Sequence, residues 1–261
     1  MNLRQAFLPN KAIDRTSMSI LTIGTVVLLL GLWIFNPSPI VPNPLEVITA
    51  FVKLWTEEGL GLELWTSFKL SMFSLFVSTF VVLILAYSTR WSFMRPLVVF
   101  ITKCRFIGLV GMTYIFTRMT GGGFELKMAM MVFGIVPFFL TSMYDAVSNI
   151  PQAKYDYART LQMSELHIVW EVVILGTLDT ALRILQQNAS ICWMMLTMVE
   201  AISRAEGGVG ALLNNQTKHF YLDAVFAIQF CLLGIGLFQD YIAGVIRNLS
   251  CPHSALALGK R

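Results

Sequence analysis

Long uncharged apolar runs, rather than short alternating ones, dominate the pattern of this chain. Met18 to Phe35 carries no charge, and neither do the twenty residues from Leu70 to Thr89. Further runs extend from Met128 to Tyr144, from about Ile184 to Val199, and from Ala224 to about Val245. About 20 mostly apolar residues suffice for a helix to cross the hydrocarbon of a bilayer. Between the second and the next of these runs lies a weaker one. Phe106 to Thr117 is uncharged but only twelve residues long, so a full span must begin near Pro96 and contain Lys103 and Arg105. At 1.5 Å per residue, Lys103 then lies about 10 Å inside Pro96. A cation at mid-span costs about 2.5–3.5 kcal/mol on insertion scales. Lys103 and Arg105 therefore either snorkel to the interface or line an internal cavity. The pattern predicts an all-α, polytopic membrane protein with about six transmembrane helices. Asn36-Pro37-Ser38-Pro39 is expected to stop the first helix, which reads as retained and not as a cleaved signal.

Two stretches fall outside the spans. In Pro44 to Glu58, Leu45, Ile48, Phe51, Val52 and Trp55 recur at helical spacing, with Glu46, Lys53, Glu57 and Glu58 between them. That is an amphipathic helix at the outer interface. The second stretch, Pro151 to Arg183, is a polar loop. In it Tyr155, Ala158 and Leu161 form one apolar stripe on a short helix begun by Pro151, which suits a first helical position. A short amphipathic helix outside the bilayer is a docking element for a groove on another protein.

Composition narrows the class. Of the 261 residues, 56% are hydrophobic and 13% charged, against about 25% charged in soluble domains. A soluble enzyme and a disordered chain are both excluded. Thirteen of the 19 Lys and Arg residues fall on one side of the expected spans, in the segments holding Arg4, Arg90, Lys154 and Arg247; six fall on the other. The positive-inside bias puts both termini and the 151–183 loop in the cytoplasm. Cys104, Cys192, Cys231 and Cys251 form no CxxC pair, and His167, His219 and His253 lie far apart, so no metal site is expected. No Gly-x4-Gly-Lys-Ser/Thr loop is present, so the chain is not expected to hydrolyse ATP. Arg118 and Lys127 flank Gly121-Gly122-Gly123 on the presumed outer side, as solvated loop charges or as an attraction for an anion. Glu200, ending the fifth span, is the best acidic candidate for a functional role, or else an interfacial anchor.

The 151–176 loop resembles the cytoplasmic loop of permease subunits of binding-protein-dependent ATP-binding cassette importers. Asp156-Tyr157-Ala158 stands in that family's Glu-Ala-Ala place, Arg159-Thr160-Leu161 matches Arg-Ser/Thr-Leu, and Val172-Val173-Ile174-Leu175 lies where apolar-x-apolar-Pro closes the motif. Gln162 replaces the family's turn glycine and Leu175 its proline. Four further segments fit in order: Pro42-Asn43-Pro44-Leu45-Glu46-Val47, Pro137, Glu206-Gly207-Gly208-Val209-Gly210 and Asp223-Ala224-Val225-Phe226-Ala227. They are similar to the nitrate, sulfonate, taurine and bicarbonate permeases over about residues 40–247. Phe106 to Gly111 departs by lacking prolines.

The resemblance implies a permease without enzymatic activity or cofactor, ATP being bound by a separate ATPase subunit. Its implied partners are that ATPase, a periplasmic or lipoprotein substrate-binding protein, a second permease copy and membrane lipid, with no nucleic acid. The location implied is a bacterial plasma membrane. The implied ATPase-coupling residues are Tyr155, Asp156, Ala158, Arg159, Thr160, Leu161 and Ser164. Lys103, Arg105 and Glu200 are the pathway candidates. The implied organisation is an arm, first span and amphipathic helix in 1–62, a permease core in 63–248 and a cytoplasmic tail in 249–261. The substrate implied is a small anion, with a thiamine-precursor-like solute as an alternative. An ATP-independent secondary transporter or channel is a rival reading, but the chain shows neither clear intramembrane ion-coupling residues nor repeats.

Overall fold

The computed structural model describes residues 15–35, 40–204 and 207–250. The proline break at 36–39, Arg4, Lys11, Glu206 and the tail with Cys251, His253, Lys260 and Arg261 lie outside the described residues.

The described chain is helical throughout. Helix α1 (Arg15–Ile34) is apolar on every side and almost unpacked, as a lipid-embedded span must be. Its far end is tied down by Trp33, whose indole N–H donates to the Pro42 carbonyl (3.0 Å) and whose ring lies 5.5 Å from Phe230.

Helix α2 (Pro44–Thr56) starts at a proline, and the Glu46 carboxylate accepts the Asn43 N–H (2.9 Å). It packs inward through Val47, Ala50 and Leu54. Of the stripe expected to carry its apolar face, Leu45, Ile48, Val52 and Trp55 point outward and are exposed, whereas Phe51 is half-buried against the core. The helix is thus apolar on two sides: one is satisfied by protein, and the other faces the surroundings.

Helix α3 (Leu60–Ser88), α6 (Gly123–Ser148) and α9 (Leu178–Ile202) form the centre, and α11 (Leu222–Ser250) packs alongside α9. Serines 67, 71, 74 and 78 recur on one face of α3 and are all buried, small enough to let neighbouring helices approach closely. Contacts at both ends show α3 and α9 antiparallel: Ser67 meets Glu200, and Tyr87 meets Thr177. Helices α9 and α11 are antiparallel too, pairing Gln186 with Asp240 and Asp179 with Arg247. Helix α9 carries Asp179, Arg183 and a run of amides, so it is less apolar than the other long helices. It tolerates them because its neighbours, and not lipid, surround much of it.

The third span is corrected. It is not one helix from Pro96 to Thr117. Helix α4 (Arg95–Lys103), continued by a single 3-10 turn, and α5 (Leu109–Thr120) meet at a bend of 113°. Ile107 and Gly108 at the break are both extended, which no continuous helix allows. Lys103 and Arg105 consequently sit exposed beside a corner and not inside a straight span, with the Arg105 guanidinium 5.1 Å from the Phe106 ring. Among the described residues, four helices are long and apolar enough to cross a membrane, or five if the bent pair counts as one. The chain is an all-α integral membrane protein, as the apolar pattern predicts.

Candidate functional site

Two constructions occupy opposite ends of α3. At its C-terminal end lies the loop between α6 and α9. Helix α6 ends at Ser148, and α7 (Gln152–Thr160) follows after Pro151. Helix α8 (Glu165–Ile168) starts at Ser164, whose hydroxyl accepts the His167 N–H (3.4 Å). A π-helical turn, Val169–Ile174, and a 3-10 turn, Leu175–Thr177, lead into α9.

The loop has its own core. Val147, Tyr155, Ala158, Ile168 and Val173 are buried together, flanked by Ile150, Met163 and Val172. Tyr155 and Ala158, expected on the docking face, point into this core, Ala158 being 3% exposed. They support the knob from within. The side chains left outside are Asp156, Arg159, Thr160, Leu161 and Ser164, joined by Tyr157 at 68% exposure. Leu161 turns outward because α7 has already ended there. Arg159 reaches Glu165 (3.0 Å) and Asp156 (3.7 Å), and the Glu165 carboxylate raises the pKa of the guanidinium further still. A groove of about 460 Å³ runs beside α7, walled by Ala153, Tyr157, Leu161, Met163 and Val172, with Lys154 and Glu171 also lining it.

The turn after α7 accounts for Gln162. Its φ is +56°, in the left-handed region where glycine is preferred. The Gln162 N–H donates to the Arg159 carbonyl (2.9 Å) and the Met163 N–H to the Ala158 carbonyl (3.3 Å), a Schellman ending. The glycine-type turn is therefore made, at a cost of about 1 kcal/mol for the side chain. Gln162→Gly is expected to stabilise the knob by roughly that amount, read as slower amide exchange at 158–163. At Leu175 the backbone N–H donates to Glu171 and Trp170 carbonyls within the π-helical turn, a bond a proline could not make.

Sequence reasoning missed the residue that fastens this knob to the spans. Arg90, just past α3, donates to the Tyr155 hydroxyl (2.7 Å) and the Val147 carbonyl (3.1 Å), and lies 5.6 Å from the Tyr155 ring centroid. In the sequence it was one more loop cation, since nothing local links residues 65 apart.

At the other end of α3, helix α10 (Val209–Lys218) begins beside three spans. Three successive N–H groups at its start are taken by side chains from elsewhere. Gly208 N–H donates to Glu63, Val209 N–H to Ser67 (2.8 Å) and Gly210 N–H to Glu200 (2.8 Å). The Ser67 hydroxyl donates to both Glu200 oxygens (2.7 and 2.9 Å), and the Lys127 ammonium donates to the Gly207 carbonyl (2.7 Å). Carboxylates suit a helix N-terminus, where the dipole is positive. Gly207 and Gly208 have φ of +69° and +108°, so the turn needs glycine.

This arrangement corrects two expectations. Glu200 is fully buried and closes the start of α10, so it does not anchor at a surface. Lys127 is 2% exposed and engaged, so it is not a solvated loop charge. Arg118 alone of that pair remains exposed.

No family model and no curated relative matches the sequence. Among solved structures, the chain is similar to one from "Inward facing conformations of the MetNI methionine ABC transporter", with a TM-score of 0.60. Sequence identity is 17%, and the match covers 73% of this chain and 95% of that one. This chain shares the fold of that structure.

Proposed function

We propose that this chain is the permease subunit of an ABC importer, non-enzymatic itself and driven by a separate ATPase. The observation that carries the reading is the knob at 151–177: it has its own core, presents an outward face, and is fastened to α3 through Arg90. ATP-driven movement of a seated partner would pass through such a joint into the spans, biasing a two-state pathway. Asp156, Arg159, Thr160, Leu161 and Ser164 form the coupling face, with Tyr157 added, while Tyr155 and Ala158 hold it in shape. The end of the molecule carrying the knob also carries Arg90, Arg95, Arg183 and Arg247, which supports a cytoplasmic side there and both termini with it.

In this reading the protein resides in a bacterial plasma membrane with a second permease copy and a substrate-binding protein. Its substrate is a small anion such as nitrate, a sulfonate, taurine or bicarbonate, supported by the resemblance over residues 40–247. We assign the role of meeting it to Lys103 and Arg105, which are exposed at the α4–α5 corner. Methionine belongs to the transporter with the similar fold, and 17% identity does not carry it over.

Co-purification of the tagged chain from native membranes tests the assembly. Recovery of an ATPase and a binding protein is expected. The double variant Tyr157→Asp/Leu161→Asp is expected to lose the ATPase at least tenfold while keeping insertion, because it charges the exposed apolar face and spares the core. Recovery of the chain alone, in a detergent that keeps known importers intact, would overturn the reading in favour of an independent transporter.

A further inference from the structure

A groove of about 770 Å³ runs down the outward face of α3, lined by Trp65, Lys69, Met72, Phe73, Phe76 and Phe124. Trp65, Lys69, Phe73 and Phe76 follow at i, i+4, i+8 and i+11, so they form one ridge on the helix. Phe124, from the start of α6, closes the side and lies 6.4 Å from the Phe73 ring. The serine face of α3 turns toward the protein, so this ridge is the side it shows to its surroundings.

Depth gives the groove its meaning. The twenty residues from Leu70 to Thr89 are uncharged, and at 1.5 Å each they span about 30 Å, the thickness of the hydrocarbon. Lys69 therefore stands at the boundary between headgroups and hydrocarbon, on the leaflet at the α2 end. Its ammonium lies 6.0 Å from the centroid of Trp65, an aromatic residue of the kind that favours that boundary. Lys69 is exposed and forms no ion pair with any described carboxylate. Below it the groove is wholly apolar, and Phe76 is 72% exposed. A cation above an aromatic slot that descends into hydrocarbon complements a ligand with an anionic head and an apolar tail.

We infer that this groove binds an anionic phospholipid, its phosphate against Lys69 and an acyl chain along Phe73, Phe76 and Phe124. A soluble anion would have no use for the slot, and a zwitterionic lipid would gain less from the ammonium. The site is separate from the knob and does not depend on an ATPase partner.

The test is native mass spectrometry of the purified full chain, equilibrated in detergent with dioleoyl phosphatidylglycerol or dioleoyl phosphatidylcholine. Wild type is expected to retain phosphatidylglycerol at least tenfold better. Lys69→Glu is expected to abolish that preference, Lys69→Gln to reduce it severalfold, and Phe76→Ala to weaken retention of both lipids. Lys69 is exposed, so these variants keep the fold, checked by an unchanged gel-filtration profile. Equal retention of the two lipids by wild type would overturn the inference. Unchanged phosphatidylglycerol retention by Lys69→Glu would also overturn it. Displacement of the lipid by millimolar inorganic phosphate would do so as well, reassigning Lys69 to a soluble anion.

Discussion

Arg90→Ala is expected to loosen the 151–163 segment from the membrane core and, in the importer proposed above, to cut transport-coupled ATP turnover about tenfold with the assembly still forming. The guanidinium serves two acceptors at once, the Tyr155 hydroxyl and the Val147 carbonyl. Hydrogen bonds from a charged donor contribute about 1.5–3 kcal/mol each, and a buried carbonyl left without a partner adds its own desolvation cost. A local loss of roughly 3–6 kcal/mol follows. That loss corresponds to amide exchange at 151–163 rising by more than tenfold, while exchange in α3 and α6 stays put. Arg90→Lys is expected to recover only part, since an ammonium cannot present the planar fork that reaches both oxygens. Arg95→Ala is the control. Its guanidinium donates to the Thr89 carbonyl and makes no hydrogen bond or ion pair to the described residues of the knob, so exchange at 151–163 should not move. Unaltered exchange in Arg90→Ala would remove Arg90 from its role as the fastening.

Gly210→Val is expected to be the most damaging single substitution at the α10 end. A Cβ at Gly210 would lie 2.8 Å from Glu200 Cβ and 2.9 Å from Thr197 Cα. Both atoms belong to the body of α9, so no flexible tip can move aside. Helix α10 must retreat, and with it go the Gly210 N–H bond to Glu200 and the Val209 N–H bond to Ser67. Overpacking costs about 1–3 kcal/mol, and stripping a buried carboxylate of a donor costs about 1.5–3 more. A fall of several degrees in Tm, or loss of monodisperse protein, should appear in a thermal gel-filtration assay. Gly234→Ala has open space around its Cβ and should melt with the wild type. Should the two variants melt together, the packing of α10 against α9 is not what holds this end.

The spans were legible because burial in lipid demands length and apolarity, and both are properties of a contiguous stretch. Their ends were less so. Leu70 marks where charge stops, yet α3 begins at Leu60, because Glu63 is bonded to Gly208 and Lys69 faces outward. The third span failed as one helix because a glycine inside an apolar run carries no mark of whether the chain will continue or turn at it. The knob was legible as a short amphipathic helix, but the stripe Tyr155, Ala158, Leu161 was divided by the structure, two inward and one outward. Periodicity alone does not say that the helix ends at Thr160. Arg90, Glu63 and Ser67 were illegible for a common reason. Each acts on a partner far along the chain, and a single sequence does not record which distant residues will meet.

Both ends of α3 are riveted. Tyr87 and the neighbouring Arg90 hold one end to the knob, and Glu63 and Ser67 hold the other to the start of α10. Between them runs a helix of 29 residues, about 43 Å long. A rod pinned at both tips can neither slide along its axis nor bow without breaking a rivet. What it can still do is lean. A lean of about five degrees carries one tip roughly 4 Å relative to the other over that length, and the pieces riveted to it travel along. In the importer proposed above, such a helix would serve as a lever arm, passing small motions at the knob to the far side.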